Sequence, residues 1–259
     1  MKRRKFIAKT SLFTITSLTT LPLMAAGEKK EKAQIYEMRI YTLQFGGNQN
    51  ILHTYLKSAL IPALNKQGIK NVGAFTPIGD PMPSQLYLLI AYDSYEQMLK
   101  SKGDLSKNEE YMKNKKAYDE NPPEKKAYER FDTYLMQAFE AIPQMKLPES
   151  KERIFEIRTY QGYNEHAVER KVKMFNKEEM PVFYETGLHP VFFGDMISGP
   201  EMPALIYMLW FKDMKERDEN WAKFSVNPEW KRMSALPEYA NSVSNIIRVF
   251  LKPTEYSQV

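Results

Sequence analysis

Ile35-Tyr36-Glu37-Met38-Arg39-Ile40-Tyr41 returns as Ile154-Phe155-Glu156-Ile157-Arg158-Thr159-Tyr160, 119 residues further on. The same offset, without a gap, pairs Pro62 with Pro181, Gly68 with Gly187, Val72 with Val191, Pro81 with Pro200 and Leu86 with Leu205. A chance heptad match would not hold its register over that distance, so the chain is two copies of one module of about a hundred residues. A period this long means tandem domains, because solenoid units run to about 20–50 residues.

Each copy opens with a strand. Glu37, Arg39 and Tyr41 alternate with Tyr36, Met38 and Ile40, which puts the two sets on opposite faces. Gly46-Gly47 breaks the strand, and apolar residues at a period near 3.6 predict a helix over 50–66, with its counterpart over 165–185. Pro62 and Pro181 should kink or restart those helices. Strands are predicted over 72–78 and 85–92, a second helical region over 94–118 and a last strand over 130–139. Copy two repeats them over 191–197, 204–211, 213–239 and 244–251. The order β-α-β-β-α-β is the ferredoxin-like, α+β motif. It leaves one sheet face bare, an association liability unless covered. The two modules, 35–140 and 153–252 joined by a linker over 141–152, are therefore expected to pair sheet to sheet and close an α+β barrel.

Residues 1–26 belong to neither copy. Lys2, Arg3, Arg4, Lys5 and Lys9 form a basic head, a mildly apolar run follows to Met24, and Ala25-Ala26-Gly27 offers small residues for cleavage. This reads as a secretory signal, and Arg3-Arg4-Lys5-Phe6-Ile7 resembles the twin-arginine form. The expected destination is the periplasm or the exterior. The run is too short and polar for a span of about 20 apolar residues, so no stable membrane span is expected. The formal net charge is +5, and all five excess charges precede Ala26. A near-neutral remainder argues against a nucleic-acid partner. The chain has no cysteine, which excludes disulfides, thiolate metal sites and a cysteine nucleophile.

The two openings resemble the Tyr-Glu-Leu-Arg-Thr-Tyr strand that begins NIPSNAP domains. Trp210-Phe211 and Asn227-Pro228-Glu229-Trp230 agree with the same family, and the resemblance covers about 35–140 and 153–252. Copy one departs from it with Ala91-Tyr92 where the Trp-Phe pair would stand. The resemblance implies the dimeric α+β barrel fold, which is shared by small cofactor-independent monooxygenases, haem-handling enzymes and stress proteins. That fold leaves the chemistry open.

If Tyr36, Met38 and Ile40 pack on the helices, then Glu37, Arg39 and Tyr41 line the enclosure between the sheets, facing Glu156, Arg158 and Tyr160. Glu156 is then the candidate base, Arg158 the bidentate anion holder and Tyr160 the donor to a developing oxyanion. Glu37, Arg39, Tyr41, His189 and Trp210 are the candidate ligand contacts. The alternative is structural: the Glu–Arg pairs satisfy each other, as buried charges must.

His53, His166 and His189 have no histidine counterparts in the other copy. His189 follows Gly187-Leu188 at a strand start and is the candidate for haem, which needs one axial histidine. Otherwise no cofactor and no metal site is expected, since His-Glu-x-x-His, phosphate loops and Gly-x-Ser-x-Gly are absent. Trp221 and Trp230 make copy two the better place for a pocket.

Two functions follow. One is a barrel binding a small anionic or aromatic molecule, with a cofactor-independent oxygenase or isomerase as its enzymatic form. The other is a non-catalytic interaction or scaffold module, and a monomer or homo-oligomer suits either. A cavity of about 300 Å³ or more would mark the first, and a barrel filled with Met, Phe and Tyr the second.

Overall fold

The computed structural model describes residues 31–259, position 80 excepted; the export segment read over 1–26 lies outside the described residues. Copy one runs β1 (Ile35–Leu43), α1 (Gln49–Tyr55), α2 (Ile61–Lys66), β2 (Gly73–Pro77), β3 (Gln85–Tyr92), α3 (Tyr95–Leu105), α4 (Glu109–Asp119) and β4 (Tyr128–Ala138). Copy two runs β5 (Ile154–Gln161), α5 (Glu165–Met174), α6 (Met180–Glu185), β6 (His189–Ser198), β7 (Ala204–Phe211), α7 (Met214–Val226), α8 (Pro228–Ser234) and β8 (Asn245–Pro253).

The strand order is β4-β1-β3-β2 in copy one and β8-β5-β7-β6 in copy two, so each repeated opening strand is interior to its sheet. The sheets then join at two antiparallel seams, β4 to β6 and β2 to β8, to close an eight-stranded barrel. The copies thus meet edge to edge by hydrogen-bonded ladders, with their bare faces turned inward. Gly194 lies on the first seam, paired with Ala138. A Cβ there would stand 2.7 Å from Met136 Cβ, so closure at this point requires glycine.

The barrel interior is filled. Tyr36, Met38, Phe75, Phe155, Phe192 and Met208 share one buried cluster, with Phe75 edge-on to Phe155 at 4.9 Å. Tyr41 and Tyr160 instead belong to two other clusters, one per copy, between the sheet and its helices. The expected strand phase is therefore reversed: Glu37, Arg39 and Tyr41, and Glu156, Arg158 and Tyr160, face the helices, not the barrel enclosure. Both faces of these strands are covered, one by helices and one by the opposite sheet, so polar alternation does not tell inside from outside.

The first helix of each copy is interrupted at a matched place. Leu56–Leu60 and Phe175–Glu179 are π-helical turns, each ending just before Pro62 or Pro181. A proline lacks the N–H and crowds the carbonyl four residues back, and a widened turn relieves both problems. The second helical region also breaks in both copies. Asn108 accepts from Tyr111 N at 2.9 Å to cap α4, and Asn227 accepts from Glu229 N at 2.8 Å and Trp230 N at 3.2 Å to cap α8.

Candidate functional site

On the outer face of copy two's sheet, under its helices, lies a cleft of about 520 Å³. Residues 156, 158 and 160 alternate along β5, which places all three side chains on that face. Arg158 and Tyr160 reach the cleft, while Lys171 on α5, Glu179 at the end of the π turn, Trp221 and Phe224 on α7 and Trp230 on α8 form its walls.

Glu156 anchors the floor. It is fully buried and accepts from Arg158 Nε at 2.7 Å, from Arg217 Nε at 3.0 Å and Nη2 at 2.9 Å, and from Trp221 Nε1 at 2.8 Å. Burial alone would push its pKa up; the Arg217 hydrogen bonds and the Arg158 charge outweigh that and hold it below the usual carboxylate range. A carboxylate committed to two guanidinium groups and an indole is an anchor, not a base. For Glu156 the structural alternative is the better description.

The same bonds place Arg158. Its guanidinium lies 3.6 Å from the centroid of the Trp221 ring, and its Nη1 donates to Tyr160 Oη at 3.3 Å. Tyr207 Oη donates to that same oxygen at 2.8 Å. Burial lifts the Tyr207 phenol well above its ordinary pKa, so it remains a proton donor. Arg158 Nη2 makes no hydrogen bond among the described residues, which leaves a cationic donor at the cleft floor.

Lys171 and Glu179 form the second ionic element. They are 4% and 2% exposed, and Lys171 Nζ donates to Glu179 Oε2 at 2.6 Å. The ammonium also lies 4.3 Å from the Phe175 ring centroid and 5.2 Å from that of Trp230, within cation–π range. Burial pushes the Glu179 pKa up against the pull of Lys171. Neither residue stood out in the sequence, yet a signal was present at the repeat offset. Lys171 and Glu179 stand at the positions of Leu52 and Leu60, which are buried in copy one's helix-side core.

Copy one keeps a smaller cleft of about 360 Å³ at the corresponding place. Arg39, Leu60, Lys102, Leu105 and Tyr111 line it where copy two has Arg158, Glu179, Trp221, Phe224 and Trp230. Glu37 accepts from Arg39 Nε at 2.8 Å and from Tyr92 Oη at 3.1 Å. Tyr41 is buried beside the Tyr128 and Phe131 rings, each 5.0 Å away between centroids. The candidates from the two copies therefore do not converge on one enclosure; they form two separate floors.

His189 and Trp210 lie apart from the cleft. Their rings stack at 4.7 Å, His189 Nε2 is 3.8 Å from Glu216 Oε1, and Trp210 packs against the barrel-interior cluster. His189 is thus not placed to be an axial ligand to a group held in the cleft. Among the described residues, no three His, Asp or Glu side chains group as a metal set, and no helix is long and apolar enough to cross a membrane.

Comparison with solved structures gives the fold. A protein from Fusobacterium nucleatum described as a candidate monooxygenase shares 11% identity over 86% of this chain and 93% of its own, with a TM-score of 0.54. One so described from Lactobacillus acidophilus shares 11% over 86% and 94%, with a TM-score of 0.53. An uncharacterised NIPSNAP-like domain protein from Burkholderia xenovorans covers 42% of this chain and 90% of its own at 16% identity, with a TM-score of 0.38. No curated protein matches the sequence. The NIPSNAP family profile matches residues 36–127 and again 155–258, one match for each repeat, and the chain belongs to the NIPSNAP family.

Proposed function

We propose that this chain is an exported protein whose copy-two cleft binds a small, flat, anionic or aromatic molecule, with cofactor-independent oxygenation or isomerisation as the enzymatic form. Each copy is read as a ferredoxin-like half-barrel, which the strand order in each sheet supports. The observation that carries the functional reading is the cleft floor: Arg158, held between Glu156 and the face of Trp221, presents a cationic donor into about 520 Å³ walled by indole and phenyl rings. Such a pocket has the volume and the few convergent polar groups of a small-molecule site. The filled barrel favours the rival reading of an interaction module for the barrel itself, but it does not touch the cleft outside it.

The test is a fluorescence titration with 8-anilinonaphthalene-1-sulfonate, a fused-ring anion of suitable size. Arg158→Met leaves Glu156 its bonds from Arg217 and Trp221, so the fold should survive. Losing a charge-assisted hydrogen bond of about 1.5–3 kcal/mol should weaken binding about 10- to 100-fold. Equal affinity for wild type and variant, or binding by neither, contradicts the reading.

A further inference from the structure

The Lys171–Glu179 pair is not required by the backbone that carries it. The π turn occurs in both copies, at Leu56–Leu60 and at Phe175–Glu179, and copy one closes the same helix layer with two leucines at these positions. A buried ion pair returns little stability over apolar residues of similar volume. A reason for its presence has to come from what the two side chains do in the cleft they line.

Their geometry is that of a base with a fixed counter-charge. Lys171 occupies Oε2 of Glu179, while Oε1 accepts no hydrogen bond among the described residues. Lys171 is itself confined by Met174 Sδ at 3.4 Å and by the Phe175 and Trp230 rings. The same cleft carries Arg158 and Tyr160, donors suited to an oxygen on which negative charge develops.

We propose that Glu179 is the general base of a proton-transfer site for flat, enolisable ketones, an inference that rests on the reading of this cleft as a small-molecule site. The substrate C–H next to the carbonyl breaks, and its proton passes to Glu179 Oε1. The electron pair left behind moves into the adjacent C–C bond, and the charge settles on the carbonyl oxygen, held by Arg158 and Tyr160. Glu179 then returns the proton to that oxygen or to another carbon, giving an enol or a double-bond isomer. The step consumes no oxidant and releases no leaving group. Lys171 opposes the rise that burial imposes on the proton affinity of the carboxylate, and a raised affinity is what abstraction from carbon requires.

The experiment uses 2-tetralone as the carbon acid. Its occupancy is read by displacement of 8-anilinonaphthalene-1-sulfonate, and its C1–H exchange in D2O is followed by proton NMR. The full chain should accelerate exchange over buffer. Glu179→Gln should still bind tetralone but lose about 10²- to 10⁴-fold in exchange rate, the usual contribution of a positioned base. Where Glu179→Gln does not fold, the Lys171→Leu/Glu179→Leu double variant, which copies the Leu52 and Leu60 arrangement, makes the same comparison. Displacement of the dye with exchange no faster than in buffer, or equally fast without Glu179, overturns the proposal and leaves the binding reading standing. If neither the dye nor tetralone binds, the binding reading falls and this inference falls with it.

Discussion

Copy one packs its helix layer with Leu52 and Leu60 and fills the space beyond with tyrosines: Tyr55 stacks on Tyr118 at 4.2 Å and shares a 2.9 Å hydrogen bond with Tyr111. Copy two, on matched strands and helices, holds the Lys171–Glu179 pair, Trp221 and Trp230 around a larger cleft. The strand order, the π turn ahead of a proline and the asparagine cap of the last helix, α4 or α8, are common to both. What differs is therefore not needed for the fold, and copy one serves as an internal control for copy two.

The floors offer the strongest way to break this comparison. Glu156 neutralises two arginines and bonds an indole, whereas Glu37 serves Arg39 and Tyr92. Glu156→Ala leaves Arg158 with no carboxylate and Arg217 with Asp218 alone, and should cost about 3–5 kcal/mol, the range for breaking a buried ion pair. Glu37→Ala should cost less, and urea denaturation of both variants reads the difference. Equal losses would mean that the two floors are energetically the same.

Next in size is Lys171→Leu, which leaves Glu179 buried without its counter-charge and should cost about 3 kcal/mol at neutral pH. The deficit should depend on pH in a definite direction. Burial raises the Glu179 pKa in the fold, so the native state binds its proton more tightly than the unfolded chain does. Stability therefore falls as pH rises through the window above the ordinary carboxylate value. Glu156, whose pKa is held low, has the opposite sign: its contribution is present above that value and is lost as pH falls. Denaturation from pH 8 to pH 5 should show the Lys171→Leu deficit shrinking; a constant deficit would mean that Glu179 does not carry it.

The smallest effect lies inside the barrel. Tyr36 is buried and its hydroxyl finds no hydrogen-bond partner among the described residues, while copy two has Phe155 at that position. Tyr36→Phe should raise stability by about 1 kcal/mol, read as a higher midpoint in the same titration. A fall would show that the hydroxyl is satisfied.

How far these features were legible in the sequence follows from the repeat. Alternation in Glu37-Met38-Arg39 located the strands and the groups that share a face, and the proline positions located the break in the first helix of each copy. Which face looked inward was not legible, because Tyr36 and Met38 are as deeply buried as Tyr41, and a strand covered on both sides carries apolar residues on both. The anchoring role of Glu156 depends on Arg217 and Trp221, which lie on a helix about sixty residues away and stand at the positions of Met98 and Lys102 in copy one. Lys171 and Glu179 were within reach, since polar residues at positions that copy one fills with leucine mark a departure from packing. Reading the apolar stripe within each copy, instead of position by position between copies, passes over them.

The most direct test of the central claim, that copy two holds a charged pair with no structural need of it where copy one has apolar packing, is the equilibrium stability of the Lys171→Leu/Glu179→Leu double variant by urea denaturation. The expected result is stability equal to or above wild type, with the loss from Lys171→Leu alone fully recovered. A double variant destabilised by about 3 kcal/mol or more, in the range expected for breaking a structural buried pair, would show that the pair holds the fold and would contradict that claim.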